Sequence, residues 1–132
     1  MQIVGAWHVD ANGAPYVPHQ FVFTSDGVVF TTNPTNVQDA GDNPTTDSVG
    51  MGVWRRAKRD RDQVIGTFYQ LNARQPGKTP AERLRVTFRV RLNRESDRFA
   101  GPAWAELEGL GGGPAQLIGR RLEINESDLE RF

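Results

Sequence analysis

The chain has 132 residues and no cysteine, and its 16 basic residues are balanced by 16 acidic ones. That length suits one domain with a core of ordinary size, and a zero net charge gives no bulk attraction to nucleic acid or a membrane surface. Without cysteine there are no disulfides, zinc–thiolate sites or thiol nucleophiles, and with neither a secretory-signal pattern in residues 1–20 nor an apolar run of spanning length, a soluble cytoplasmic protein is expected.

Apolar residues recur at period two far more often than at 3.6, so the elements are strands. "IVGAWHV" (3–9) is the first. "HQFVFTSDGVVFTTN" (19–33) is a hairpin about Ser25-Asp26-Gly27, the residue types a tight turn requires. "VGMGVWRR" (49–56) and "QVIGTFYQLNA" (63–73) flank a charged turn. "RLRVTFRVRLN" (83–93) and "RFAGPAWAEL" (98–107) flank another, and "PAQLIGRRLEI" (114–124) ends the series. These make eight strands, enough to close a barrel and remove the exposed edges. The expected fold is all-β: a single domain over 1–132, an eight-stranded antiparallel up-and-down barrel. A short C-terminal helical turn is expected from the capping-box spacing of Ser127 and Glu130. Segments 34–48 and 75–82, rich in Pro, Gly, Asn, Asp and Thr, read as loops, the first mobile and near an open end.

Two ends of the chain carry a resemblance. "VGAWHV" places Gly-x-Trp in the first strand and "IGRRLEI" places arginine in the last. The chain resembles the lipocalin-like, or calycin, β-barrels. The hairpin "FTSDGVVFTTNPTN", "GMGVWRR" and "GGPAQLIGRR" look like small bacterial lipocalin-like proteins. The resemblance implies that Trp7 closes one end of the barrel and that Arg121, or by position Arg120, packs across it as a cation–π partner.

With Trp7 inward, Ile3, Gly5 and Val9 face inside and His8 faces out. Phe21 and Phe23 inward bring His19; Phe68 brings Gly66, Gln70 and Asn72; Phe99 brings Gly101, Ala103, Ala105 and Leu107. Small residues then gather on the inner wall: Gly50, Gly52, Gly66, Gly101, Ala103 and Ala105. They leave room for a ligand, with Trp54 as a flat wall of its pocket, or they relieve bends in the strands. The expected function is binding of a small, largely apolar molecule in the barrel. The expected ligand-binding residues are His19, Phe21, Phe23, Asn33, Trp54, Phe68, Gln70 and Phe88. The alternative is a metal-independent cyclase- or isomerase-type enzyme acting on a polyketide- or terpenoid-like substrate in the same space.

Catalytic candidates are His19, which titrates near neutrality, Glu106, whose carboxyl would serve as an acid if buried, and Asp47, at the entry to the glycine-rich strand. Each has a plainer role: a strand-end histidine, an exposed strand glutamate, a turn cap. The two histidines face opposite sides, so no metal is expected, and no cofactor. "GLGGGP" (109–114) lacks the lysine and helix of a phosphate loop and reads as a flexible hairpin loop. The stripe Arg83, Arg85, Arg89 and Arg91 has no interleaved aromatic residue, so neither nucleic acid nor a membrane is an expected partner. A homodimer through an exposed Trp104 is a third reading.

Overall fold

A computed structural model describes residues 2–13, 18–32, 37–38, 44–73, 82–108 and 111–132. Its strands are Gly5–Asn12 (β1), Pro18–Phe23 (β2), Val28–Thr32 (β3), Val37–Gln38 (β4), Pro44–Asp47 (β5), Gly50–Arg56 (β6), Gln63–Ala73 (β7), Glu82–Leu92 (β8), Arg98–Leu107 (β9) and Gly111–Arg121 (β10). A four-residue helix, Glu126–Leu129 (α1), follows. The long strands form an antiparallel ladder in the order β7-β6-β3-β2-β1-β10-β9-β8. β8 pairs back onto β7 from Gln63↔Arg91 to Asn72↔Glu82, closing an eight-stranded up-and-down barrel.

Alternation along each strand sets what faces inward. In β8, Val86, Phe88 and Val90 are buried while Arg85, Thr87 and Arg89 are exposed, the pattern of a sheet with one wet face. The β2–β3 turn forms where Ser25-Asp26-Gly27 predicts it. Gly27, at φ +90°, donates its N–H to the Thr24 carbonyl at 3.3 Å, and Thr24 N–H reaches Val28 O at 2.9 Å.

Three local expectations need correction. The connection 34–48 carries two short strands: β5 pairs with Asn72 and Ala73 of β7, and β4 pairs with β5. β7 has 11 residues against 7 in β6, so its ladder runs past the start of β6 and offers β5 those open positions. Of the two loops read at 34–48 and 75–82, residues 34–36, 39–43 and 75–81 lie outside the described residues, and Glu82 already belongs to β8. The last strand begins earlier than expected, because Gly111–Gly113 pair with Leu107, Glu106 and Ala105. A Cβ on Gly112 would sit 3.0 Å from Glu106 Cα and 2.9 Å from Trp104 Nε1, so this glycine lets β10 approach β9 closely. Asn125, and not Ser127, caps α1. Its Oδ1 accepts from Ser127 N–H at 3.1 Å and from Ser127 Oγ–H at 2.7 Å.

One end of the barrel is sealed. Trp7 is wholly buried, donates Nε1–H to Ile3 O at 2.9 Å, and packs at a tilt with its ring 4.8 Å from that of Phe99. The Arg121 guanidinium lies 4.4 Å over the Trp7 ring, within cation–π range. Its Nε donates to Ser96 O at 2.7 Å, Nη1 to Val4 O at 2.8 Å, and Nη2 to Gln2 O. Arg121 is therefore the arginine across the tryptophan; Arg120, one residue before it, faces solvent. Above this plug the rings form a continuous chain. Phe23 meets Phe99 at 6.2 Å, Trp54 at 5.9 Å and Phe88 at 6.1 Å, while Phe21 meets Phe88 at 6.1 Å and Phe68 at 5.6 Å. These centroid spacings lie in the favourable range for aromatic pairs.

Candidate functional site

The inner glycines decide where space is left. A Cβ on Gly52 would lie 2.5 Å from Phe68 Cα, on Gly66 2.8 Å from Phe88 Cε1, and on Gly101 2.7 Å from Val90 Cα. A Cβ on Gly50 would lie 2.9 Å from Phe68 Cδ2 and meet Thr31 Oγ1 as well. Contacts that short do not occur between real side chains, so each site is already filled by a ring or by neighbouring backbone. The glycines do not strip a pocket wall; they admit the aromatic core. Trp54 is likewise a core residue. It is buried, packs on Phe23, and donates Nε1–H to Thr24 O at 3.0 Å.

The space lies above the rings, toward the end where β1 turns to β2 and β9 to β10. There an internal recess of about 250 Å³ is walled by Leu84 and Val86 of β8, Ala103, Ala105 and Leu107 of β9, and Ala115 and Leu117 of β10. Ala11 and Gly112 complete that wall, and the rings of Phe21 and Phe68 form the floor. The polar lining side chains among the described residues are His19 of β2 and Gln70 of β7, the latter beside Leu84 in the β7–β8 ladder. Gln70 is buried. Next to it Thr31 is fully buried, and its Oγ1 has no hydrogen-bond partner among the described residues. The recess is largely apolar, with an aliphatic wall on β8, β9 and β10 and one polar side chain each from β2 and β7.

Of the residues expected to bind a ligand, His19, Phe21, Phe68 and Gln70 come together at this recess. Phe23, Trp54 and Phe88 lie below it in the packed core and are not among its lining residues. Asn33 is outside the described residues. The catalytic candidates separate. His19 joins the recess. Glu106 is on the outer surface, opposite Arg85 in the β8–β9 ladder and beside Tyr69 and Glu108. Asp47 ends β5 across from Asn72, and its side chain is outside the described set. Ala11 and Ala115 are lining residues that the sequence reading did not name; the Trp7–Val9 alternation carried one step further reaches Ala11, and alternation back from Arg121 reaches Ala115.

The outer arginine stripe is largely engaged by the protein. Arg83 faces Glu108 at 3.9 Å, Arg91 Nη2 donates to Asp60 Oδ2 at 2.6 Å, and Arg85 donates to Thr67 Oγ1 at 3.3 Å while lying 6.0 Å from the Tyr69 ring centroid. Arg91, aided by the Asp62 backbone N–H, holds the Asp60 carboxyl below its ordinary pKa. Among the described residues no three His, Asp or Glu side chains converge as metal ligands, and no helix is long and apolar enough to cross a membrane.

The fold and recess define a closed eight-stranded antiparallel barrel, compatible with a calycin-like fold, with an aliphatic space at one end and a tryptophan–arginine plug at the other. No protein-family model, no curated protein and no solved structure matches the chain.

Proposed function

We propose that the protein binds a small, largely apolar molecule in the recess, with His19 and Gln70 orienting its one polar group. The observation that carries this reading is the lining, aliphatic and aromatic side chains with two polar ones among them, which is the usual composition of a small-molecule site. An apolar cavity of about 150 Å³ takes benzene. By proportion, 250 Å³ suits an occupant of about ten non-hydrogen atoms, the size of a monocyclic terpenoid or a substituted benzene. Placement among lipocalin-like calycins is part of the same proposal and draws support from the Trp7–Arg121 stack. Native mass spectrometry of the purified protein, with identification of anything released on denaturation, tests it. Retention of an apolar molecule by the wild type and its loss in a folded Ala103→Leu variant is the expected result.

The enzyme alternative, a metal-independent cyclase or isomerase, draws on one observation: His19, a group able to take and return a proton near neutral pH, is in the recess wall. Incubating the released molecule with fresh protein separates the two readings. Conversion that disappears in His19→Gln, with binding retained, favours the enzyme.

A further inference from the structure

The outer surface of the barrel is divided. On β1 and β8 it carries His8, Asp10, Asn12 and the arginine stripe, all exposed. On β2, β3, β6 and β7 it carries Val22, Phe30, Met51, Val53, Tyr69 and Leu71, each between 40% and 61% exposed. These six are contiguous. The ladder sets Val22 beside Phe30, Phe30 beside Met51 and Met51 beside Tyr69, and Val53 and Leu71 are the next outward residues along β6 and β7. At about 100 Å² of exposed surface for each side chain, the patch offers roughly 600 Å², at the upper limit of what monomers leave uncovered.

We propose that this face is the interface of a homodimer. Three observations select a second copy of the chain as the occupant. The area, with its polar rim added, approaches the ~800 Å² that each partner buries in a stable complex. The rim beyond Tyr69 holds two arginines and two glutamates, Arg83, Arg85, Glu106 and Glu108. Equal numbers of opposite charges make an edge complementary to its own copy under two-fold symmetry. The apolar band also stops short of encircling the barrel, since the row Val22–Phe30–Met51–Tyr69 runs on into Arg85 and Glu106. A lipid-embedded barrel needs an apolar girdle all round, whereas a one-sided band suits one flat protein contact. Trp104, about half exposed, lies two strands away across Thr67 and Thr87 and is outside this patch.

Sedimentation velocity between 1 and 100 μM, concentrations of the kind at which such contacts form, tests the proposal on the wild type and on Met51→Glu/Val53→Lys. A wild-type dimer weakened about 100-fold in the double variant, as removal of central apolar contacts predicts, is the expected result, with unchanged far-UV circular dichroism showing that the barrel is intact. Should the double variant fail to fold, the absence of native cysteine permits a second test. Met51→Cys is expected to give a disulfide-linked dimer on mild oxidation, and Gln116→Cys, on the far side of the barrel, is not. A wild-type monomer throughout that range, a dimer that survives the double variant, equal cross-linking at both positions, or recruitment to phosphatidylcholine vesicles in place of self-association would each overturn the proposal.

Discussion

Gly52→Ala is the sharpest probe of why the inner wall carries glycine. In β6, Gly52 is paired with Val29 on one side and Phe68 on the other. An added Cβ would lie 2.5 Å from Phe68 Cα and 2.7 Å from Phe68 Cβ, and closer still to the Thr67 carbonyl oxygen. Carbon atoms pack at about 3.5–4.0 Å, so β7 would have to withdraw by about 1 Å. Its backbone is held by the β6 and β8 ladders, and the Phe68 ring by Phe21 and Phe88. Relief therefore costs overpacking strain of about 1–3 kcal/mol together with one or two ladder hydrogen bonds at about 1 kcal/mol each. The expected loss is about 3 kcal/mol, a large share of the ~5–15 kcal/mol that holds a domain folded. Urea denaturation reads it as a midpoint lowered by about 1–3 M. Gly113→Ala is the control: nothing lies within 4 Å of its Cβ position and its φ is not left-handed, so it is expected to be neutral or to stabilise by up to about 1 kcal/mol. A Gly52→Ala midpoint equal to that of the control would refute the close-packing argument and return the glycine face to open space.

Ala103→Leu places new atoms in the recess and is expected to abolish ligand retention while changing stability by less than about 1 kcal/mol, since it fills space rather than overlapping a neighbour; native mass spectrometry and thermal melting read the two effects. Arg121→Ala strips the Val4, Ser96 and Gln2 carbonyls of their charged donor and should destabilise by about 3 kcal/mol, with Trp7 fluorescence shifting to the red as its covered face is opened to water. The Asp60–Arg91 pair depresses the folded-state pKa of Asp60, so its contribution is present above the unfolded carboxylate pKa, near 3.9, and is lost as pH falls through the folded value. Asp60→Asn should therefore narrow the gap in denaturation midpoint between pH 6 and pH 3, and an unchanged gap would show that the pair carries no linkage.

The barrel is legible because its strands alternate cleanly and because turn residues stand where tight hairpins form, as at Ser25-Asp26-Gly27. The inward parity of Phe21, Phe68 and Phe99 follows from the same period, and that of Trp7 and Arg121 from the resemblance to the calycin barrels. The meaning of the glycines does not. Pattern shows that Gly50, Gly52, Gly66 and Gly101 face inward, but not what lies opposite them, and Phe68 and Phe88 approach from neighbouring strands with sequence separations of 16 to 22. β5 was hidden for a related reason. Its place depends on β7 outrunning β6, a property of the pair and of neither segment alone. Glu106 was separable from His19 by parity, since Ala103 and Ala105 turn inward with Phe99 and leave Glu106 on the outer face.

Glycine and alanine thus do opposite work on the same wall. Where an inward glycine faces a phenylalanine, the ring moves into the missing side chain and the barrel fills: Phe68 over Gly50, Phe88 over Gly66, Phe99 over Gly119. Where inward alanines stand beside other small or aliphatic residues, as Ala105 beside Val86 and Gly113 and Ala103 beside Ala115, and the neighbouring Phe88 ring is taken up over Gly66, space remains. The division runs across the barrel axis: the recess takes Phe21 and Phe68 of the core as its floor and Ala11, Val86, Ala103 and Leu117 of the core as part of its wall. Substitutions on the alanine wall should then alter what is bound with little effect on folding, whereas substitutions at the glycines should alter folding first.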